Sequence, residues 1–362
     1  MNTHSLNALL YSIPDTIVPE FDCTVHVKSQ SVFRYRKGFT DSSMFWLYSC
    51  TKVFTCTAIL KLIEEGKIGL YDNLCSYFPE FSDMNVREGN SVRISEKKIR
   101  IYDLLRMCSG FDYDLNDPSI ESIIRSGKPA GESIKYLSKK NLLFEPDTDF
   151  RYGLSHDILG AVIEKVTGKT LGQYLNETFF SPLGMKHSGF DPEAIPDKVM
   201  QKQYYYNEAS ESLTDYGPFT NEFRFHKGYH SGGAGLVSTM EDVCTFADFL
   251  ANGGTDKSGK QLLRPESIRL MSTASLTPNE LQSFHNDWDY YKNYSYGLGV
   301  RTYMENTSGE RGCPGEFGWN GASGSFLLID PMHELTLFFA MHVRNCSWVC
   351  DKLYNQLRNC LY

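Results

Sequence analysis

Strand-patterned sequence stands at both ends of this chain, and the long middle between them is patterned for helix. Residues 21–37, FDCTVHVKSQSVFRYRK, alternate apolar and polar side chains around the turn-prone KSQS, the signature of a β-hairpin with one buried face. Far along the chain, YSYGLGVRTYM, SGSFLLIDP and ELTLFFAMHV read as strands, and SWVCDKLYNQLRNCL closes it as a helix. The termini are therefore expected to complete one antiparallel sheet, covered by the first and last helices. Between them IYDLLRM, ESIIRSG and SHDILGAVIEKVTG have helical spacing with Gly, Pro and Asp breaks. The expected fold is α/β, a single domain in which residues 1–69 and 231–362 form the α/β part and residues 70–230 a mainly helical lobe. A length of 362 residues with 14% aromatic side chains suits such a two-part core and excludes a disordered chain.

A formal charge of -8 leaves no electrostatic footprint for a polyphosphate, so nucleic acid is not an expected partner. The first twenty residues lack a basic segment and an apolar run, and no window is long and apolar enough to span a bilayer. A soluble cytoplasmic protein without a membrane partner is expected. Its ten cysteines then read as reduced thiols packed as small apolar groups. The spacing His342-x3-Cys346-x3-Cys350 lacks a nearby fourth ligand, and neither a metal nor another cofactor is expected.

Ser49-Cys50-Thr51-Lys52 opens an amphipathic helix expected over 49–65, whose stripe includes Val53, Ala58, Leu60, Leu62 and Ile63. Three residues of separation place the hydroxyl and the amine on one face, so a desolvated Lys52 could take the Ser49 proton. Free N–H groups at a helix start favour negative charge developing beside Ser49. A second copy of the pattern, Ser95-Glu96-Lys97-Lys98, lies in the charged segment SVRISEKKIR and reads as solvated surface. Tyr152, in FRYGLS, sits on a loop before the SHDILGAVIEKVTG helix; it is either a packing residue or, beside a Ser/Lys pair, a proton shuttle. The glycine-rich run FGWNGASG (317–324) reads as a sheet edge where backbone approaches something closely and can donate an N–H to an oxyanion, or else as a β-turn anchored by Trp319. The aromatic stretch 187–230, with YYY, Tyr216 and Phe223–Phe225, is expected to pack on the lobe rather than line a pocket.

These three segments, in this order, resemble the serine β-lactamase-like superfamily, most closely the branch with class C β-lactamases, D-Ala-D-Ala carboxypeptidases and β-lactamase-fold esterases. The likeness covers most of the chain, including SCTKVFTCTAILKLIEEGKIGL, LLRMCSGF, SGGAGLVSTMEDV and FGWNGASGSFLLIDP. It implies a β-lactamase/transpeptidase-like fold with the site at the seam between sheet and lobe. It implies Ser49 as acylated nucleophile, Lys52 as base and Tyr152 as proton shuttle. Trp319-Asn320-Gly321 then stands at the third, substrate-binding motif, and the backbone N–H groups of Ser49 and Ala322 form the oxyanion hole. Two departures matter: Leu154 replaces the amide of the middle motif and Trp319 replaces a lysine, so the fixed cation that attracts a lactam or peptide carboxylate is missing. The expected substrate is a small-molecule ester, cleaved by a carboxylesterase through an acyl-serine. A β-lactamase, a D-amino peptidase acting on an amide, an acyltransferase with the same intermediate, and a non-catalytic binding protein are the alternatives.

Overall fold

The computed structural model describes residues 1–305 and 311–362. Strands β1 (Phe21–Val27) and β2 (Gln30–Lys37) form the expected antiparallel hairpin. Lys28 and Ser29 turn it with φ of 52° and 57°. Two successive left-handed residues give the tight turn whose twist matches that of paired strands. Strand β3 (Ser43–Trp46) leads into the first long helix and pairs antiparallel with β4 (Val237–Ser238), so the residues before β4 lie beside that helix start.

Near the other end β5 (Tyr294–Tyr296), β6 (Arg301–Tyr303), β7 (Phe317–Asn320), β8 (Phe326–Asp330) and β9 (Leu335–Met341) form an antiparallel meander in sequence order. The N-terminal hairpin lies alongside β9: Lys28 N–H donates to the Glu334 carbonyl at 2.8 Å, and the Phe21 and Phe339 rings meet at 5.4 Å. The two ends of the chain thus share one sheet. Period-two alternation divides its faces. Phe326, Leu328, Leu337 and Phe339 pack with α1 (Thr3–Tyr11) and, at the far end, the C-terminal helix Tyr354–Leu361. Leu327, Ile329, Phe338 and Ala340 face the opposite core, shared with α2 (Thr51–Glu64), α3 (Ser155–Thr167), α4 (Met240–Ala251) and α5 (Pro278–Asp287); the C-terminal helix is α6.

Helix α2 is buried almost all round, and Val53, Phe54, Leu60 and Leu62 are each removed from water. Each contributes roughly 1.5–3 kcal/mol of burial, enough to fix the helix start firmly. Between 70 and 183 helices predominate, with α3 among them and one short hairpin, Asn85–Glu88 with Ser91–Ile94. The expected helical lobe does not extend to 230, because 184–230 carries no α-helix but the strands Val199–Met200, Tyr204–Asn207 and Ser212–Asp215.

Two local expectations are corrected. The glycine-rich segment is not at a sheet edge, because β7 is the third of the five strands. Close approach is nonetheless what its glycine serves, since a Cβ on Gly318 would stand 2.0 Å from the Leu327 carbonyl oxygen of β8. YSYGLGVRTYM is not one strand but two, folded back at Gly299 with φ 82°. His342 of the metal-like spacing is buried, and its Nε2 accepts the Trp46 N–H at 2.9 Å. The second Ser-x-x-Lys pair does not meet: Ser95 donates to Glu145 at 2.6 Å, and Lys98 turns to Ser82 and Asp83.

Candidate active site

Ser49 lies in the middle of a 3-10 turn, Tyr48–Cys50, that runs straight into α2. The residue before it, Tyr48, is fully buried with φ 45°, a left-handed conformation costly for an aromatic side chain. The ring is over-determined: its hydroxyl donates to Gln203 Oε1 at 2.7 Å, and the Arg344 guanidinium stacks 4.6 Å above it. Packing from the 200–220 segment therefore holds the turn that presents Ser49.

One turn on, the Lys52 ammonium is fully buried, and its Nζ donates to Ser49 Oγ at 3.1 Å, the Tyr113 hydroxyl at 3.0 Å and the Gly233 carbonyl at 2.8 Å. It lies 4.5 Å above the Tyr152 ring. Burial pulls its pKa well down from the ordinary lysine value, against the attraction of Asp157, Cys56 and Cys50. Asp157, in the first turn of α3, is the counter-charge; burial raises its own pKa, offset in part by Ser231 and by Lys52 itself. The two form no direct ion pair among the described residues, so Lys52 keeps hydroxyls and a carbonyl as its immediate neighbours. An amine so placed can give up its proton near neutrality.

Tyr152 stands on the loop before α3, and its Oη accepts the Trp319 indole N–H at 2.7 Å. Burial holds the phenol far above its ordinary pKa; hydrogen bonding with Ser49 and Trp319 offsets only part of this. Lys52 and Tyr152 are therefore driven in opposite directions, one toward a neutral base and the other toward a protonated acid. Trp319 is enclosed by Trp288 at 5.4 Å and Tyr296 at 5.1 Å, both edge-on, and Phe223 stacks edge-on against Tyr113 at 5.2 Å. The 187–230 stretch thus does reach the site, through Phe223.

The end of β7 is docked on the nucleophile turn. Cys50 Sγ donates to the Trp319 carbonyl at 3.3 Å, and a Cβ on Gly321 would stand 2.5 Å from the Leu47 carbonyl oxygen. Ala322 follows on an exposed turn. Neither its N–H nor that of Ser49 is taken by a carbonyl among the described residues, as an oxyanion site requires.

Two residues expected at the substrate are engaged elsewhere. The Asn320 amide accepts from Arg301 Nη1 at 3.0 Å and donates to the Tyr291 hydroxyl. Leu154 is fully buried at the start of α3 and packs in the core. Three contributors were not singled out from sequence: Tyr113, Asp157 and the Gly233 carbonyl. The glycine density of SGGAG is the one local signal, for a Cβ on Gly233 would stand 2.6 Å from Asp157 and 2.9 Å from the Tyr113 hydroxyl.

The sequence profile of the beta-lactamase family matches residues 25–345. A putative D-alanyl-D-alanine carboxypeptidase of Escherichia coli K12 is 27% identical over 320 residues, which is 82% of this chain and 68% of that protein. Among solved structures, simvastatin synthase from Aspergillus terreus superposes with a TM-score of 0.81 at 21% identity, covering 99% of this chain and 97% of that one. EstCE1, described as a hydrolase with promiscuous acyltransferase activity, superposes with a TM-score of 0.78 at 21% identity over 99% and 98%.

Proposed function

The chain belongs to the beta-lactamase family of serine hydrolases and has its fold, and from that premise we propose that it is a carboxylesterase acting on small neutral esters. The observation that carries this reading is the Trp319 indole N–H donating to Tyr152. A donor is kept where the family's lactamases hold a lysine, but without the cation that would bind a carboxylate. Around it stand aromatic faces, Tyr113, Tyr152, Trp288 and Trp319. Such walls suit the apolar acyl and alkoxy groups of an ester.

In this reading neutral Lys52 takes the Ser49 proton as Oγ bonds to the ester carbon. The carbonyl oxygen becomes an oxyanion facing the Ser49 and Ala322 N–H groups. The C–O bond to the alcohol breaks as the Tyr152 phenol protonates the leaving alkoxide, and the Lys52 proton restores the phenol. Water then attacks the acyl-Ser49 by the reverse proton path. The same wall accepts an alcohol in place of water, so acyl transfer is the second reading; EstCE1, by its description, does both.

The test compares kcat/KM for p-nitrophenyl butyrate and nitrocefin, with and without an added primary alcohol. Faster turnover of the ester supports the proposal. A markedly larger kcat/KM on nitrocefin overturns it, and ester product formed in preference to acid moves the assignment to acyl transfer.

A further inference from the structure

A cavity of about 340 Å³ lies between the N-terminal hairpin and α4, and none of Ser49, Lys52, Tyr152 or Trp319 lines it. Strand β1 turns Thr24 and His26 to this cavity, with Asp22 next along the same polar alternation; Cys23 and Val25 between them pack in the core on the other side. A polar strand face buried against a helix is costly unless every group on it has a partner. Asp22 has one, the Arg34 guanidinium at 2.7 Å. Thr24 does not: it is 4% exposed, it lines the cavity, and its Oγ1 has no hydrogen-bond partner.

Two further groups on the same walls are in a similar position. Asn252, just past α4, donates its Nδ2 to Ser29, while its buried Oδ1 has no partner. His26 is held by Asp248, Nδ1 to Oδ2 at 2.7 Å, and Asp248 is held by the Thr336 hydroxyl at 2.8 Å. That chain fixes the imidazole and leaves Nε2 without a protein partner among the described residues. A hydroxyl, an amide oxygen and a ring nitrogen are thus unspent around one space.

Charge narrows the ligand. Arg34 is neutralised by Asp22 and Asp41, and Asp256 accepts the N–H groups of Ser258 and Lys260. Of the other charged groups on the walls only Lys257 is a cation, against Glu241, Asp248 and Asp256, so no surplus cation recommends a phosphate. Leu183, Met240 and Phe249 add apolar surface to the polar walls. We propose that this cavity binds a neutral polyhydroxylated molecule, a sugar or polyol, whose hydroxyls meet Thr24, His26 and Asn252 while its C–H face rests on Met240 and Phe249.

Saturation-transfer NMR and calorimetry with glucose, N-acetylglucosamine and trehalose test this on the full chain, beside Thr24→Val and Asn252→Leu, with inorganic phosphate and spermidine as contrasts. The expected result is binding of at least one sugar by the wild type. Each substitution should weaken it by about fivefold or more, and hydrolysis at Ser49 should be unchanged. Thr24→Val should melt no lower than the wild type, because the hydroxyl it removes is unpartnered, so its lost binding cannot be ascribed to unfolding. No sugar bound by the folded wild type, sugar binding retained by Thr24→Val, or preferential binding of phosphate or spermidine would each overturn the assignment.

Discussion

Lys52 at the seam and Arg301 in the sheet are both fully buried cations, yet their surroundings differ. Arg301 donates to the Asn320 amide and to the Leu327 carbonyl at 2.8 Å, and stacks 4.4 Å over Phe326. Burial opposes its charge, but Tyr291, Tyr294 and Glu316 outweigh that and hold its pKa up. Lys52 has two hydroxyls and one carbonyl for company, and its charge is disfavoured. A guanidinium beside Glu316 and two tyrosine hydroxyls stays charged and braces β7; an amine whose counter-charge, Asp157, makes no direct ion pair with it has its charged form disfavoured by burial. Support and chemistry sit on opposite faces of one strand, since Arg301 holds Asn320 while Trp319, its neighbour, faces Tyr152.

On the proposed mechanism the largest effect comes from removing Ser49. Ser49→Ala is expected to lower kcat/KM for p-nitrophenyl butyrate by about 10⁴-fold or more while leaving the melting temperature near wild type. Next, Lys52→Ala should cost roughly a hundredfold or more in acylation. Lys52→Arg should not rescue it, since a guanidinium does not act as a base; recovery of activity by arginine would erase the contrast with Arg301. In the wild type kcat/KM should rise with pH as Lys52 loses its proton and level off well below the ~10.4 of an ordinary lysine. An ascending limb centred at that ordinary value would mean the amine is not desolvated.

Trp319→Phe keeps an aromatic wall and deletes the N–H to Tyr152, so about a tenfold loss in kcat/KM is expected. Unchanged turnover would make the indole a packing residue. The smallest effect belongs to the supporting face. Burial raises Glu316 from 4.5 to about 7, so the folded state holds a proton that the unfolded chain releases, and this group's stabilisation fades as pH rises through that interval. Glu316→Gln should flatten the fall in stability across that window, followed by denaturant melts at several pH values. Its turnover should stay within a few-fold of wild type.

Much of the site was legible because its residues are sequence neighbours with a fixed helical offset: Ser49 and Lys52 need only one turn of α2 to meet. Tyr152 and Trp319 were singled out from the motifs around them, and the structure brings them together. Asn320 was expected at the substrate, whereas its amide bonds Arg301 and Tyr291; successive strand residues point to opposite faces, and Trp319 is the one that reaches Tyr152. Tyr113 and Asp157 meet Lys52 only through tertiary packing, from a loop and from α3, and no local pattern announces that. The shared sheet of the two termini was readable from alternation. The rank of β7 within it was not, because a short glycine-rich strand reads alike at an edge and in the middle.

The most direct test of the central claim is the rate of covalent labelling by an alkyl fluorophosphonate, read by intact mass and peptide mapping on wild type, Lys52→Ala and Glu316→Gln. A single adduct on Ser49 is predicted, forming about a hundredfold or more slowly in Lys52→Ala and at the wild-type rate in Glu316→Gln. No adduct on the folded wild type, an adduct on another residue, or equal rates in all three proteins would contradict it.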